Sequence, residues 1–361
     1  MLHSLTSFRF VAALMVFIFH LQFLTQFQLG SAGVQFFFVL SGFILAYNYH
    51  SKLTVLNKEN IKKFYIARFA KIYPLHFLTF LIAAPLVIIY FNPDGFYFLK
   101  LAFMSGINLL LVQSFVPSQS TYFNFNGVSW TLSVEAFFYM LFPFLIWLFQ
   151  KTRLGKRIAL TLLGIGLVWG ILFYFNYRLP EDDPFQVWLL HIFPVVRVFE
   201  FSTGVLLALI FLEKNNTVRE NKTLFTWLEA AAVLFFFVML MISTRLDVGI
   251  VRGVYFVPVW CVLIYVFAHQ RGMISQWLSH KLFVFLGQIS FAFYMIHQLV
   301  IRYFSYLEIN TAVNAVICFS LSLALSALLY LYYEEPLRKF IRYGPNRKRT
   351  QFKPNLPHIT P

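Results

Sequence analysis

The sequence predicts an all-α, polytopic integral membrane bundle, and three observations predict it. Of 361 residues, 60% are hydrophobic and only 12% are charged, where soluble domains run at roughly 45–50% and 25%. The apolar residues gather in ten stretches near the ~20-residue length that crosses a bilayer as a helix. The basic residues collect between alternate pairs of those stretches, so a net charge of +15 marks membrane orientation and not a nucleic-acid partner. Cys261 and Cys318 lie inside apolar segments without ligand spacing; they read as packing residues, and no metal site is expected.

The expected spans are 5–27, 34–50, 72–91, 130–149, 158–177, 190–212, 225–243, 251–268, 283–304 and 311–333. The first has no preceding Lys or Arg and contains Arg9 and His20, so it is expected to be retained and not cleaved as a signal peptide. With the N-terminus inside, the inner loops hold six Lys/Arg in 51–71, four in 151–157, three in 213–224, two in 269–282 and seven in 334–361. Counting the apolar segment 97–116 as a crossing would invert three of those clusters. It is therefore expected to be a re-entrant or surface helix on the outer side, with both termini inside. One membrane domain is expected over 1–343, followed by a basic, disordered tail over 344–361 held near anionic lipid headgroups.

Span one carries the first chemical signal. Arg9 and His20 are eleven residues apart; at about 100° and 1.5 Å per residue they return to within about 20° of one face and are separated by about 16 Å. Charged groups within spans usually face a bundle interior or a wet cavity, although a snorkelling arginine and a packing histidine would satisfy the same residues. In span two, Ser41 and Gly42 mark a place for close helix approach. Arg68 and Lys71, at the entry to span three, share a helical face; they read as a lipid-facing flank or as a clamp for an anionic ligand.

The stretch GVSWTLSVEAFFYMLFPF places Trp130 as an interfacial anchor and Ser133 on its face. Glu135 lies deeper, as a general base, a partner for His20 or an arginine partner. Arg197 and Glu200, three apart in one span, read as an intrahelical ion pair. His297 shares a face with Tyr294 and reads as a core histidine. The last span is expected to end before Pro336, with Glu335 structural. The Tyr122–Gly127 loop lies on the outer side, where its aromatic rings could stack on a sugar or anchor at the interface.

These stretches together resemble the membrane acyltransferase-3 family, integral-membrane enzymes that O-acylate bacterial surface glycans and other extracytoplasmic acceptors. The resemblance is carried, in order over nearly the whole chain, by SFRFVAALMVFIFH with its Arg-x10-His, GVQFFFVLSGFIL, ARFAKIYP, WTLSVEAFFYMLFP, FPVVRVFEFSTG, LGQISFAFYMIH and YYEEPLRKF. It implies a multi-pass protein of the bacterial cell membrane, with acetyl-CoA or another acyl-CoA as donor substrate and no bound cofactor. It also implies a surface glycan or lipid-linked saccharide as acceptor, and makes Arg9 and His20 essential. The family's Arg-x-x-Arg has Lys71 at its second position here, which keeps the charge but loses bidentate phosphate geometry. No esterase-like SGNH domain follows in this sequence, so acceptor contacts are expected from the membrane domain or a polysaccharide-assembly partner.

The expected mechanism has Arg68, Lys71 and Arg9 holding the CoA phosphates. His20 acts as general base or as acyl relay, and Glu135 supports the imidazole. The rival class is a transporter or flippase of a lipid-linked saccharide, which also places charges mid-bundle.

Overall fold

The protein, a computed structural model, is described over residues 2–91, 96–154, 158–180, 183–214, 221–305 and 311–344. The elements in chain order are α1 (His3–His20), α2 (Leu29–Tyr49), α3 (Lys58–Phe91), α4 (Phe96–Leu109), α5 (Gln119–Tyr122), α6 (Trp130–Lys151), α7 (Ile158–Arg178) and α8 (Pro184–Val187). They continue with α9 (Pro194–Lys214), α10 (Lys222–Ser243), α11 (Val248–Gly253), α12 (Val257–Ala268), α13 (Met273–Leu278), α14 (Lys281–Phe304), α15 (Thr311–Leu329) and α16 (Glu335–Tyr343). No strand occurs among the described residues. Among the described residues, nine helical stretches are long and apolar enough to cross a membrane, and α7, with 21 apolar-rich residues, occupies the remaining expected span. The fold is a polytopic helical membrane bundle. The tail after Gly344 lies outside the described residues.

The bundle is built around α2, whose apolar window is 83% buried, against 17% for the α10 span and for the span that contains α15. Glycines set its crossings. A Cβ on Gly42 would lie 2.0 Å from the Phe201 carbonyl oxygen, and one on Gly204 would lie 2.0 Å from the Val39 carbonyl oxygen. The backbones of α2 and α9 therefore touch reciprocally. Gly287 brings α14 onto α1, where an added Cβ would meet the Thr6 carbonyl at 1.9 Å, and Gly33 brings α2 against Ala12 of α1. In lipid, where apolar side chains gain little by leaving their surroundings, such close packing carries much of helix association. Ser4 Oγ and Ser7 Oγ anchor the start of α1 by donating to the Phe267 and Leu278 carbonyls at 2.9 and 2.6 Å.

Four boundaries depart from the sequence expectation. Helix α1 stops at His20, not at 27, because the chain reverses through left-handed residues Gln22, Leu24 and Gln28. His20 is thus the last residue of its helix and not a group deep within a longer one. Helix α2 begins at Leu29, absorbing Ser31, Ala32 and Gly33 into the helix. Helix α3 begins at Lys58, ahead of the span expected from 72, and runs 34 residues through Pro74 and Pro85, about 51 Å at 1.5 Å per residue, so Arg68 and Lys71 sit well inside one continuous helix. The chain does not stop before Pro336: a π-turn over Tyr330–Glu334 leads into α16, with the proline at the first turn where its missing N–H is harmless.

Segment 97–116 folds as α4, whose 14 residues extend about 21 Å, short of the ~30 Å hydrocarbon core. Its exit is tied into the bundle by Ser114, whose hydroxyl donates to the Trp130 carbonyl at 2.8 Å and whose carbonyl accepts from Trp188 Nε1 at 3.0 Å.

Gly42→Ala is expected to lower the melting temperature of the detergent-solubilised protein by several degrees, since forcing a methyl into a packed contact costs about 1–3 kcal/mol. Gly164→Ala, where an added Cβ meets nothing within 4 Å, should not lower it, since alanine is the better helix former by about 0.5–1 kcal/mol. Thermal unfolding followed by tryptophan fluorescence compares the two.

Candidate active site: two cavities along one helix face

The face of α1 that carries Arg9 and His20 is flanked by two cavities. The inner one, of about 140 Å³, is lined by Arg9, Ser41, Arg68, Lys71, Thr131, Glu135, Tyr139 and Tyr294 among apolar residues of α2 and α3. The outer one, of about 530 Å³, is lined by His20, Tyr122, Phe123, Trp130, His191, Arg252, Gln298 and Arg302. Val34 and Tyr294 line both. Tyr294 is pinned at this boundary, its hydroxyl 3.1 Å from Thr131 Oγ1.

Arg68 and Lys71 enter the inner cavity together, as their three-residue spacing requires, but their situations differ. Lys71 forms an ion pair with Glu334, whose side chain is 1% exposed, and lies 4.8 Å from the centre of the Phe291 ring. The π-turn in the last span turns Glu334 inward to meet it, a local widening often found at functional positions. Arg68 stacks its guanidinium against Tyr49, Phe64 and Tyr139 at 5.8–5.9 Å, and its buried Nε has no hydrogen-bond partner. Among the described residues neither Arg9 nor Arg68 has a carboxylate within 4.0 Å. Two guanidiniums are therefore available to an anion at this end of the bundle.

Glu135 lines the inner cavity and accepts a hydrogen bond from Tyr139 at 3.1 Å. It makes no contact with His20. The expectation that it supports the imidazole is replaced by a different arrangement: His297, the expected core histidine, places Nε2 3.0 Å from His20 Nδ1. His20 Nδ1 also lies 3.0 Å from the Val16 carbonyl, and His297 Nδ1 lies 3.1 Å from the Phe293 carbonyl.

The remaining candidates divide between lining and framework. Ser41 lines the inner cavity and Trp130 the outer. Ser133 Oγ accepts from the Ser114 backbone N–H at 3.3 Å and so fixes the return of the outer segment. Arg197 and Glu200, both fully buried, form an ion pair at 3.2 Å, and Arg197 also donates to the Gly253 carbonyl at 2.8 Å. Glu335 pairs with Arg338 and Lys339 in α16. Sequence reasoning missed Glu334, Tyr139, His191 and Arg252. It also missed the dividing role of Tyr294, which its position one turn before His297 could have suggested. Of the outer loop, Tyr122, Phe123 and Gly127 line the cavity, and Val128 N–H is held by Gln298 Oε1 at 2.9 Å.

A family model described as an acyltransferase domain matches residues 2–331. The chain belongs to the acyltransferase-3 family. It is an acyltransferase of the multi-pass membrane class, not the flippase that mid-bundle charges also allow. It is 31% identical over 327 residues to the acyltransferase MdmB of Streptomyces mycarofaciens, covering 84% of this chain and 79% of that protein. It is 23% identical over 360 residues to the peptidoglycan O-acetyltransferase OatA of Listeria monocytogenes, covering 94% of this chain and 56% of OatA. The chain thus spans little more than half of OatA's length. A putative acetyltransferase, ORF330, of Acidianus two-tailed virus is 27% identical over 281 residues, covering 76% of this chain and 74% of that protein. No solved structure matches.

For this acyltransferase, Lys71→Met and Glu334→Leu are each expected to lower stability by about 3–5 kcal/mol, because each leaves a buried charge without its partner. The double variant should cost less than the sum. Melting temperatures of the four proteins in one detergent close the cycle.

Proposed function

We propose that the protein is an O-acyltransferase of the bacterial plasma membrane. It takes an acyl group, acetyl in the simplest case, from cytoplasmic acyl-CoA to a hydroxyl of an extracytoplasmic carbohydrate such as exopolysaccharide or O-antigen. The observation that carries this reading is the division of labour along α1, with Arg9 in the inner cavity, His20 in the outer, and Val34 and Tyr294 shared between them. A donor and an acceptor from opposite sides of a membrane need such a pair of chambers with one base near their junction. The names of OatA and of the putative O-acetyltransferase SACOL0978 of Staphylococcus aureus, 22% identical over 355 residues, support acetyl transfer to oxygen.

An inner cavity of about 140 Å³ is too small for a nucleotide, since pockets that hold drug-sized ligands run from about 300 Å³ upward. It suits a thin arm. The CoA phosphates then rest at the inner mouth, where the guanidiniums of Arg9 and Arg68 offer charge-assisted bonds. Lys71, neutralised by Glu334, contributes less than its residue type suggests. The pantetheine arm passes Tyr294 to bring the thioester to the outer cavity. There the imidazole of His20 takes the proton from the acceptor hydroxyl as its oxygen attacks the acyl carbonyl. The tetrahedral intermediate collapses by breaking the C–S bond, and the leaving thiolate takes the proton back from His20. An acyl-imidazole route, with His20 attacking first, uses the same atoms in two steps. The aromatic walls of the outer cavity, Tyr122 and Trp130, offer faces to a sugar ring.

Membrane vesicles supplied with labelled acetyl-CoA test this reading through release of free CoA and transfer of label to an acceptor. His20→Ala is expected to reduce turnover by about 10²–10⁴-fold while the protein remains folded; undiminished transfer would remove the assignment. Arg68→Gln is expected to raise the KM for acetyl-CoA about tenfold or more, the loss of one hydrogen bond to a charged group, with kcat changed far less.

A further inference from the structure

We infer that His297 is a positioning residue: it fixes the tautomer and ring orientation of His20, so that Nε2 of His20 carries the lone pair that meets the acceptor. This rests on the proposed role of His20 and adds the residue that makes that role possible.

The inference follows from which atoms can donate. A carbonyl oxygen only accepts, so His297 Nδ1, 3.1 Å from the Phe293 carbonyl, must carry its hydrogen. A neutral imidazole has one N–H, so His297 Nε2 is then a bare acceptor. It lies 3.0 Å from His20 Nδ1. That nitrogen also faces the Val16 carbonyl at 3.0 Å, a second acceptor. Both neighbours of His20 Nδ1 therefore require a hydrogen on it. His20 Nε2 is left unprotonated, on a residue that lines the outer cavity. The order runs from the Phe293 carbonyl through two imidazoles to one free lone pair, and reversing either ring sets lone pair against lone pair.

The surroundings of His297 hold it to this task. It is fully buried and its ring packs against Phe17, Phe293 and Tyr294 with centroids 5.9–6.0 Å apart. No carboxylate contacts either imidazole among the described residues. The usual orienting group for a catalytic histidine is a carboxylate, which also favours the protonated ring. A second imidazole orients without that bias and leaves the resting base neutral. When Nε2 of His20 takes the acceptor's proton, the Nδ1–H bond to His297 becomes charge-assisted and stronger. The contact thus stabilises the transition state more than the resting enzyme, the condition for raising kcat.

Three substitutions separate positioning from packing. Glutamine can place its amide oxygen where His297 Nε2 stands and accept from His20. Asparagine reaches only the position of Nδ1, and leucine offers no acceptor. In the vesicle assay, His297→Leu and His297→Asn are expected to lower kcat at least about tenfold with little change in the KM for acetyl-CoA, while His297→Gln recovers most of the rate. Wild-type kcat in His297→Leu, or equal losses in all three variants, would overturn the inference. Nitrogen-15 NMR of histidine-labelled wild-type protein in bilayers supplies a readout independent of how the variants fold. His20 is expected as the Nδ1–H tautomer, and an Nε2–H ring would overturn the inference. Full transfer by His20→Ala would instead defeat the proposed function itself. A dead His20→Ala beside a fully active His297→Leu would defeat the positioning role alone.

Discussion

The structure depends on backbone contact between helices at glycine. Helix α1 is pressed onto α14 at Gly287 and onto α2 at Gly33, and α2 is pressed onto α9 at Gly42 and Gly204. A side chain at any of these positions would move a whole helix, because the atom it meets is a carbonyl of the partner backbone. The polar residues of the site are then set by rigid geometry. Arg9 and His20 keep their helical phase, and the strip of α1 between them is walled by α2 on one side and α14 on the other. Hydrogen bonds of about 3 Å between side chains on different helices, such as that from His20 to His297, tolerate little relative sliding. The close crossings supply that constraint.

How much of this was legible in the sequence depends on the distance over which each feature acts. Features local to one helix read well. The eleven-residue spacing places Arg9 and His20 on one face, the three-residue spacing places Arg68 and Lys71 together, and Arg197 and Glu200 pair within a turn. The short length of α4 agrees with the charge count, by which 97–116 is not a full crossing. Features that join helices far apart in sequence did not read. Lys71 and Glu334 are 263 residues apart and His20 and His297 are 277 apart. Periodicity fixes which way each side chain points on its own helix, but not which helix stands opposite.

Breaks in regularity were also hidden. Helix α1 stops at His20 because the following residues turn through left-handed conformations at Gln22 and Leu24, residue types that give no turn signal. The π-turn over Tyr330–Glu334 sits in an apolar, aromatic run that reads as ordinary helix up to the acidic pair. Both departures fall at the site: one sets His20 in the wall of the outer cavity, and the other brings Glu334 onto Lys71. The polar chemistry is placed by irregularities that a regular pattern conceals.

The shared wall at Val34 and Tyr294 has a consequence for the cell. Any protein that opens chambers towards both faces of an energised membrane endangers the ion gradient that the membrane maintains. An aromatic ring latched to Thr131, beside a branched aliphatic side chain, stands where the two chambers meet, the position from which a barrier against one continuous aqueous path would act. Under the proposed function, group transfer then proceeds across the barrier while protons and sodium stay on their own sides.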